Sequence, residues 1–502
     1  MSTADDVVLW TARRVGVDPS TIDPHQTLTS LGMDSIKAAE FQSYVEDRYQ
    51  CTIHMEDLFE GLTLAAIAHR VDNRVTNIAA ASEPTRAHQP TAINRVMHNR
   101  YAMPHRQRGG VLQKAKDFDL TQRLDEIDLL PFYRQLTRNE GATCVYQGRT
   151  LVMLGSNNYL GLTADSRVRE AAAEAARLDG PSLTGSRLLN GSTPAQSDLE
   201  RGLAAFLGRQ DALLFTTGYQ ANIGLLSAIM GEGTTLVADD ECHASIYDGA
   251  AVGRCRVIQF RHNDVADLDR QLTDELGETP GMVMVDGVYS MSGDLAPLDE
   301  IRDVCTRHGL PLAVDDAHGL GMVGKTGRGI EEEIGDGRCA DILTGTFSKS
   351  LASIGGWVAG DKYLVEWIRY HGRPMLFSAA IPPPAVAAAA AALNILISEP
   401  WRIQRIQEQA AYWRAGLKRL GFNVGRSRTA IVPVITGDEM TCIRFSKGLL
   451  DAGVYTNCVV APATPPNRAL IRTSITAIHE KHHLDTALEI FEAVGYAHGI
   501  IQ

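Results

Sequence analysis

The sequence predicts an α/β protein: a mostly parallel sheet covered on both faces by helices, preceded by a small all-α unit and followed by a smaller α+β domain. Three observations carry this. Seven short apolar runs, 212–215, 235–238, 256–260, 282–285, 312–314, 342–344 and 356–359, are separated by helical spacers, the pattern of strands buried on both faces. Residues 1–75 show helical periodicity and no strand-like run. After Pro384 the rhythm changes to a long helix, strand candidates at 430–434 and 470–473, and a closing helix at 484–494.

Bulk properties narrow the function classes. At 502 residues the chain needs more than one domain. A formal net charge of −12 argues against nucleic acid as a main partner, since phosphate contacts need clustered Lys and Arg. The eight cysteines are scattered singly, which suits reduced thiols in a cytoplasmic enzyme and implies neither zinc nor disulfides. The acidic opening Met1–Asp6 does not read as a signal peptide. The alanine-rich run 385–397 is too short and too weakly apolar to span a bilayer.

In chain order, apolar spacing predicts helices at 5–15, 35–49, 55–59 and 63–71, with Thr63 as N-cap of the last. Between the first two lies Leu31-Gly32-Met33-Asp34-Ser35-Ile36. This motif, with its flanking helices, resembles the acyl-carrier proteins over the whole of 1–75, a small all-α four-helix domain. The resemblance implies that Ser35 carries 4'-phosphopantetheine, attached by a phosphopantetheinyl transferase. A phosphodiester at a helix N-terminus meets free N–H groups and the positive end of the dipole. Residues 76–117 read as a basic flexible linker: from Pro84 to Lys116 there are bases such as Arg86, Arg95, Arg106 and Lys114 but no Asp or Glu.

From 118 onward the reading is a helix at 125–136, a hairpin at 145–154 turning at Gln147-Gly148, and helices at 167–178 and 197–207. The region 118–384 forms the larger part and 385–502 the smaller C-terminal domain. Chemistry-bearing residues then cluster just after the strand runs. Phe215-Thr216-Thr217-Gly218-Tyr219 is a strand–helix turn suited to a phosphate. Asp239-Asp240-Glu241-Cys242-His243 and Asp286-Gly287-Val288-Tyr289-Ser290 follow the next strands. Val314-Asp315-Asp316-Ala317-His318 and Thr346-Phe347-Ser348-Lys349 complete the set. Ligands of open α/β sheets sit beyond the carboxyl ends of the strands. A lysine there can form a Schiff base and an aspartate can hold a pyridinium nitrogen protonated, the pair that pyridoxal phosphate (PLP) requires.

With these motifs in this order, residues 118–502 resemble the α-oxoamine synthases, fold-type I PLP enzymes that condense an amino acid with an acyl thioester. The resemblance implies that His243 stacks on the pyridine ring, Asp315 pairs with its nitrogen, and His318 hydrogen-bonds its phenolic oxygen with Ser290 nearby. It implies that Lys349 carries the cofactor in Schiff-base linkage and acts as the α-proton base. Thr346 and the backbone of Gly218 and Tyr219 would hold phosphate. Arg472 would grip the substrate carboxylate, beside Asn157 of Ser156-Asn157-Asn158-Tyr159-Leu160-Gly161. Within the family the serine palmitoyltransferase branch is most similar, through Thr184-Gly185-Ser186-Arg187 and Pro462-Ala463-Thr464-Pro465. Departures at 180–183, at Gln196 (commonly histidine) and at Asp286 (commonly glutamate) bear on substrate choice. Serine is favoured as amino acid, then alanine or glycine.

The expectation is a carrier-fed decarboxylative condensation, supplied by upstream acyl-synthesising or acyl-loading enzymes, in a cytoplasmic homodimer. By the same resemblance Ser378 would reach the partner's phosphate. Three other readings stand beside it: the same chemistry on acyl-CoA with the carrier domain as a docking module, an aminotransferase, and a non-catalytic scaffold.

Overall fold

The larger of two units, Pro90–Gln502, opens its sheet structure with an antiparallel ribbon. It consists of β1 (Arg138–Asn139), β2 (Thr143–Tyr146) and β3 (Arg149–Met153). The turn between β2 and β3 is Gln147-Gly148, with φ of 48° and 75°. Two consecutive left-handed residues are what a two-residue type I′ hairpin demands. In this computed structural model the described residues of the unit are 112–116, 118–335, 337–461, 463–465 and 467–502.

The seven apolar runs become one sheet: β4 (Asp211–Phe215), β5 (Thr235–Asp239), β6 (Arg256–Phe260), β7 (Gly281–Asp286), β8 (Leu312–Asp315), β9 (Ile342–Thr346) and β10 (Gly356–Gly360). Their order is β4-β10-β9-β8-β7-β5-β6. The sheet is mixed: β10 runs antiparallel to both neighbours and every other pairing is parallel. Each strand alternates its apolar side chains between two helical layers. Leu214, Val237, Val283, Val285, Val314, Leu343 and Trp357 join one buried core. Leu213, Leu236, Met282, Met284, Ala313, Ile342 and Val358 join the other. A period of two with both faces buried is why these segments read as continuous apolar runs.

A second layer of structure closes the C-terminal end. β11 (Ile431–Gly437), β13 (Asn457–Val459) and β14 (Ala469–Ser474) form an antiparallel sheet in the order β11-β14-β13. Helices Trp401–Arg419, Glu439–Ala452 and Lys481–Ala497 cover it around Trp413, Phe445 and Phe491. β12 (Val454–Tyr455) pairs in parallel with β3, so the early hairpin is stitched to the C-terminal part of the chain.

Two expectations change. The helix placed at 125–136 runs instead over Leu120–Glu126. Pro131 cannot continue a helix, and Asp128 and Tyr133 take left-handed φ of 54° and 56° on either side of it. The second concerns helix Pro383–Ser398, which the sequence put at the head of the smaller domain. Its Val386, Ala389, Leu393 and Leu396 pack beside Val168 and Leu199 in the core of the large sheet, so the smaller domain begins near Trp401.

The smaller unit is Met1–Gln89, of which 3–15, 17–27, 31, 41, 44, 45, 48, 49 and 63–78 are described. Ser35, the rest of its motif after Leu31, the helix placed at 55–59, and linker positions 79–111 and 117 lie outside the described residues. Helices Thr3–Val15 and Leu64–Ile78 pack Val7, Ala12, Leu64, Ile67 and Val71 against Phe41 and Val45. Trp10 stacks on Tyr44 at 5.2 Å. Thr63 caps the last helix as expected, its Oγ1 accepting the Ala66 N–H at 3.2 Å. Asp6 ties the first helix to the segment around residue 48. Its Oδ2 accepts from Tyr44 Oη (2.6 Å), Tyr49 Oη (2.5 Å) and Arg48 Nε (2.5 Å).

Burial alone would raise the Asp6 pKa, but the hydrogen bonds from Tyr44, Tyr49 and Arg48 outweigh it and hold it below the ordinary aspartate value. Its stabilisation is therefore complete above pH of about 4 and is lost as pH falls through the lowered folded pKa. Asp6→Ala is expected to cost roughly 1–3 kcal/mol of this unit's stability. Hydrogen exchange of the full chain, read on the amides of Thr3–Val15, measures it as lost protection.

Candidate active site

Strands β5, β7, β8 and β9 end along one edge of the sheet, and their register fixes what stands there. Asp286 is paired with Asp315, and Asp315 with Thr344. The turns that follow carry His243, Ser290, His318 and Lys349. Topology thus brings residues 106 positions apart into one cleft.

Asp315 is held by two bonds. Its Oδ2 accepts from Asn222 Nδ2 at 2.6 Å and its Oδ1 accepts the Ala317 N–H at 3.0 Å. Asn222 is buried in helix Gly218–Ile229 and does more than this. It also donates to Ser245 Oγ (2.8 Å) and accepts from Thr344 Oγ1 (2.7 Å). Ser245 Oγ in turn lies 2.7 Å from His243 Nδ1. The acid at the end of β8 and the imidazole ahead of helix Ala244–Gly253 are therefore oriented by one amide. His243 opens onto the cleft, but the surrounding protein desolvates it and the Lys349 charge adds to the lowering of its pKa, against an opposing pull from Asp315.

Lys349 is enclosed. Desolvation pushes its ammonium down to a pKa of about 8, with Arg472 adding to the effect while Asp315 and Asp286 resist it. An amine with that pKa is partly neutral near pH 7, the condition for attack on a carbonyl. His318 is also buried, and desolvation plus the charges of Lys349, Arg472 and His243 hold it well below the ordinary histidine value. It is neutral throughout the physiological range.

Arg472 arrives on β14 from the smaller domain. Its Nε donates to the Ser290 carbonyl (2.5 Å), Nη1 to Asn157 Oδ1 (2.9 Å) and Ser474 Oγ (3.0 Å), and Nη2 to Tyr159 Oη (3.3 Å). Tyr159 Oη lies 2.7 Å from His318 Nδ1. Asn157 and Arg472, read separately in the sequence, are thus direct partners, while Ser290 enters the cluster through its backbone. Asn157, Ser156, Gly155, Lys349, Tyr455 and Asn457 line a cavity of about 320 Å³.

At the far end, Thr217 caps helix Gly218–Ile229 by accepting the Gln220 N–H at 3.1 Å. A side chain at Gly218 would place its Cβ 2.8 Å from Thr346 Cβ, so only glycine lets the helix start approach β9 this closely. Thr346 Oγ1 donates to the Gly355 carbonyl and contacts Ser348 Oγ, each at 2.8 Å. Tyr219 turns its hydroxyl away to Asp248, leaving its backbone at the helix start. Gln220 Nε2 donates to Ser378 Oγ at 3.4 Å within the same chain. A tight glycine cradle at a helix N-terminus, a desolvated lysine and a pinned carboxylate fit the parts of pyridoxal phosphate: phosphate, aldehyde and ring nitrogen.

The second acid of the Asp315-Asp316 pair goes elsewhere. Asp316 Oδ2 accepts the Ile330 N–H at 3.0 Å, and side chains at Gly287, Gly319 or Gly329 would strike its carboxyl group. Burial pushes its pKa up to about 8; it braces the loop after β8. Asn222, Ser245 and Tyr159 have no role in the sequence reading. Tyr159 stands within a motif that it quotes, but only the fold shows what these residues touch.

Comparisons with known proteins give the family. Residues 149–491 match the family model "Aminotransferase class I and II", and residues 9–71 match "Phosphopantetheine attachment site". The chain is 43% identical over 360 residues to a serine palmitoyltransferase of Caulobacter vibrioides, covering 71% of this chain and 89% of that protein. It is 39% identical to an 8-amino-7-oxononanoate synthase of Thermoanaerobacter pseudethanolicus, covering 78% and 100%. Among solved structures it resembles a Sphingomonas wittichii serine palmitoyltransferase at 36% identity and a TM-score of 0.75, covering 78% of this chain and 100% of that one. A high-resolution serine palmitoyltransferase structure described as holding PLP as an internal aldimine matches at 37% identity, a TM-score of 0.75 and the same coverage.

If Lys349 is the group that captures the cofactor aldehyde, the loading rate of cofactor-free protein should climb with pH and level off above about 8. A solvated lysine would carry the rise to about 10.4. Stopped-flow absorbance of the cofactor across a pH series measures the midpoint.

Proposed function

We infer, because the chain belongs to the α-oxoamine synthases of the class I and II aminotransferase family, that its cleft condenses L-serine with an acyl thioester carried on the chain's own Ser35. The family supplies the coarse activity: a PLP-dependent decarboxylative condensation of an amino acid with an acyl thioester. The observation that supports the amino-acid half of this reading is the guanidinium of Arg472, bonded to Asn157 and close enough to Lys349 for its charge to lower the lysine's pKa. A planar cation at that place receives the amino-acid carboxylate. The phosphopantetheine-site match at 9–71 supports an acyl donor on the same chain.

Pyridoxal phosphate, when bound, supplies an electron sink for the charge that develops at the amino-acid α-carbon. Asp315, pinned by Asn222, keeps a carboxylate ready for the protonated ring nitrogen. Gly218, Tyr219 and Thr346 would receive the phosphate, and His243 would cover the ring. Lys349 would take the α-proton, since its lowered pKa leaves a useful neutral fraction. His318, neutral and held by Tyr159, faces the phenolic oxygen. In the overall reaction a carbon–carbon bond forms between the α-carbon and the acyl carbonyl, and the carbon–sulfur bond breaks. The carboxylate leaves as carbon dioxide, one proton is taken up, and the thiol and an α-amino ketone are released.

Serine is favoured because several relatives carry the name serine palmitoyltransferase; those named 8-amino-7-oxononanoate synthase keep alanine as the next candidate. Tethering replaces a bimolecular encounter with an effective concentration in the millimolar range when the linker spans the distance. The partners are upstream acyl-loading enzymes, a phosphopantetheinyl transferase and, by analogy with the family, a second copy of the chain. Among the described residues no helix is long and apolar enough to cross a membrane.

Mass spectrometry of products and carbon dioxide release, from an amino-acid panel offered to acyl-loaded protein, tests the reaction. Serine should give the dominant α-amino ketone; transamination without carbon dioxide would overturn the assignment. Ser35→Ala should abolish turnover of the tethered acyl group, and unchanged activity with the native donor would move the donor to free acyl-CoA. Arg472→Lys loses the planar fork and is expected to raise the amino-acid KM by roughly 10- to 100-fold, as for the loss of 1.5–3 kcal/mol of charged hydrogen bonding. Initial rates against serine concentration measure it.

A further inference from the structure

The hydroxyl of Tyr159 has one proton to give and three polar neighbours: His318 Nδ1 at 2.7 Å, Arg472 Nη2 at 3.3 Å and Asn157 Oδ1 at 3.4 Å. A guanidinium can only donate, so Arg472 occupies a lone pair of the phenol. Asn157 Oδ1 already accepts from Arg472 Nη1 at 2.9 Å, which also fixes the orientation of that amide. Of the two acceptors open to the Tyr159 proton, His318 Nδ1 at 2.7 Å is much closer than Asn157 Oδ1 at 3.4 Å. An imidazole that accepts at Nδ1 and is neutral has its single proton on Nε2. Its neutrality follows from the surroundings, since it is buried with Lys349, Arg472 and His243 as the charged or titratable groups facing it.

We propose that Tyr159 is a positioning residue that fixes His318 as the Nε2–H tautomer, so that His318 enters the cleft as a hydrogen-bond donor and never as a base. The inference rests on the reading of the cleft as a pyridoxal phosphate site, where that donor meets the phenolic oxygen. It accounts for a fully buried phenol in a motif otherwise noted for its asparagine. It also explains why Arg472 reaches past Asn157 to Tyr159: the cation holds the phenol's lone pair and aims its proton at the imidazole.

The test is the tautomer itself. In protein labelled with ¹⁵N-histidine, His318 is identified by the signals lost in His318→Gln. Long-range proton–nitrogen correlation should then show Nε2 protonated and Nδ1 bare, both before and after cofactor loading. An Nδ1-protonated ring, or a rapidly averaged pair, in the wild-type protein overturns the proposal without any variant. In Tyr159→Phe the tautomer preference should be lost and the cofactor dissociation constant, read by absorbance, should rise about tenfold, the loss of one well-formed hydrogen bond. Adding His318→Gln should cause no further rise if the two residues act as one unit; multiplied effects would overturn it. A chain that binds no cofactor at all refutes the functional reading, while the tautomer of the cofactor-free protein still decides the role of Tyr159.

Discussion

The carboxylate of Asp315 is the fixed point on which the cleft depends. It stands at the end of the central strand of the sheet, between β7 and β9, so its backbone cannot move without disturbing the register on both sides. Asn222 then fixes the side chain, and through Ser245 it fixes the imidazole of His243. A buried amide with both ends satisfied is rigid because any rotation would strand polar atoms away from water. Moving Asp315 would misplace His243 as well. Asp315 and His243 are therefore both oriented from a single helix, Gly218–Ile229.

Arg472 is the counterpart from the other core. It comes from β14, whose sheet packs with Trp413 and Phe491, while its partners Asn157, Tyr159 and Ser290 belong to segments before and within the large sheet. The pairing of β12 with β3 and the bond from the Ser474 N–H to the Leu154 carbonyl (2.7 Å) bring the early chain to this place. The C-terminal part of the chain thus contributes the guanidinium, and the large sheet contributes the acid, the lysine and the histidines.

Much of this was legible in the sequence for a definite reason. Strands buried on both faces write themselves as apolar runs, so all seven central strands appear within a residue or two of their observed ends. Residues that touch a ligand stand at strand ends beside glycine and hydroxyl residues, and that contrast made Lys349, Asp315, His318 and His243 visible. The residues behind them leave no such mark. Asn222 looks like any polar residue of a helix, and two of its three bonds go to strands more than 90 positions away. Tyr159 reads as an apolar core residue. The failed helix at 125–136 has a local cause in Pro131, whereas the placement of helix Pro383–Ser398 with the large core depends on packing that no local pattern reveals.

The charges of the cleft follow one rule. Burial pushes Lys349 down to about 8 and His318 well below its ordinary range, while the carboxyl of Asp286, buried beside Asp315, is pushed well above its own. Each of these groups is driven toward its neutral form because the cleft desolvates it. Arg472 stays charged because a guanidinium does not give up its proton, and its hydrogen bonds compensate for its burial. The cleft therefore holds a guanidinium and a carboxyl group whose direction Asn222 fixes. Its lysine holds its proton loosely, as proton transfer requires. A site in which every group kept its solution charge would bind the same ligand parts but would have no amine free to attack an aldehyde or accept a proton. The cleft's exclusion of water makes the lysine reactive, and the packing of two cores around it provides that exclusion.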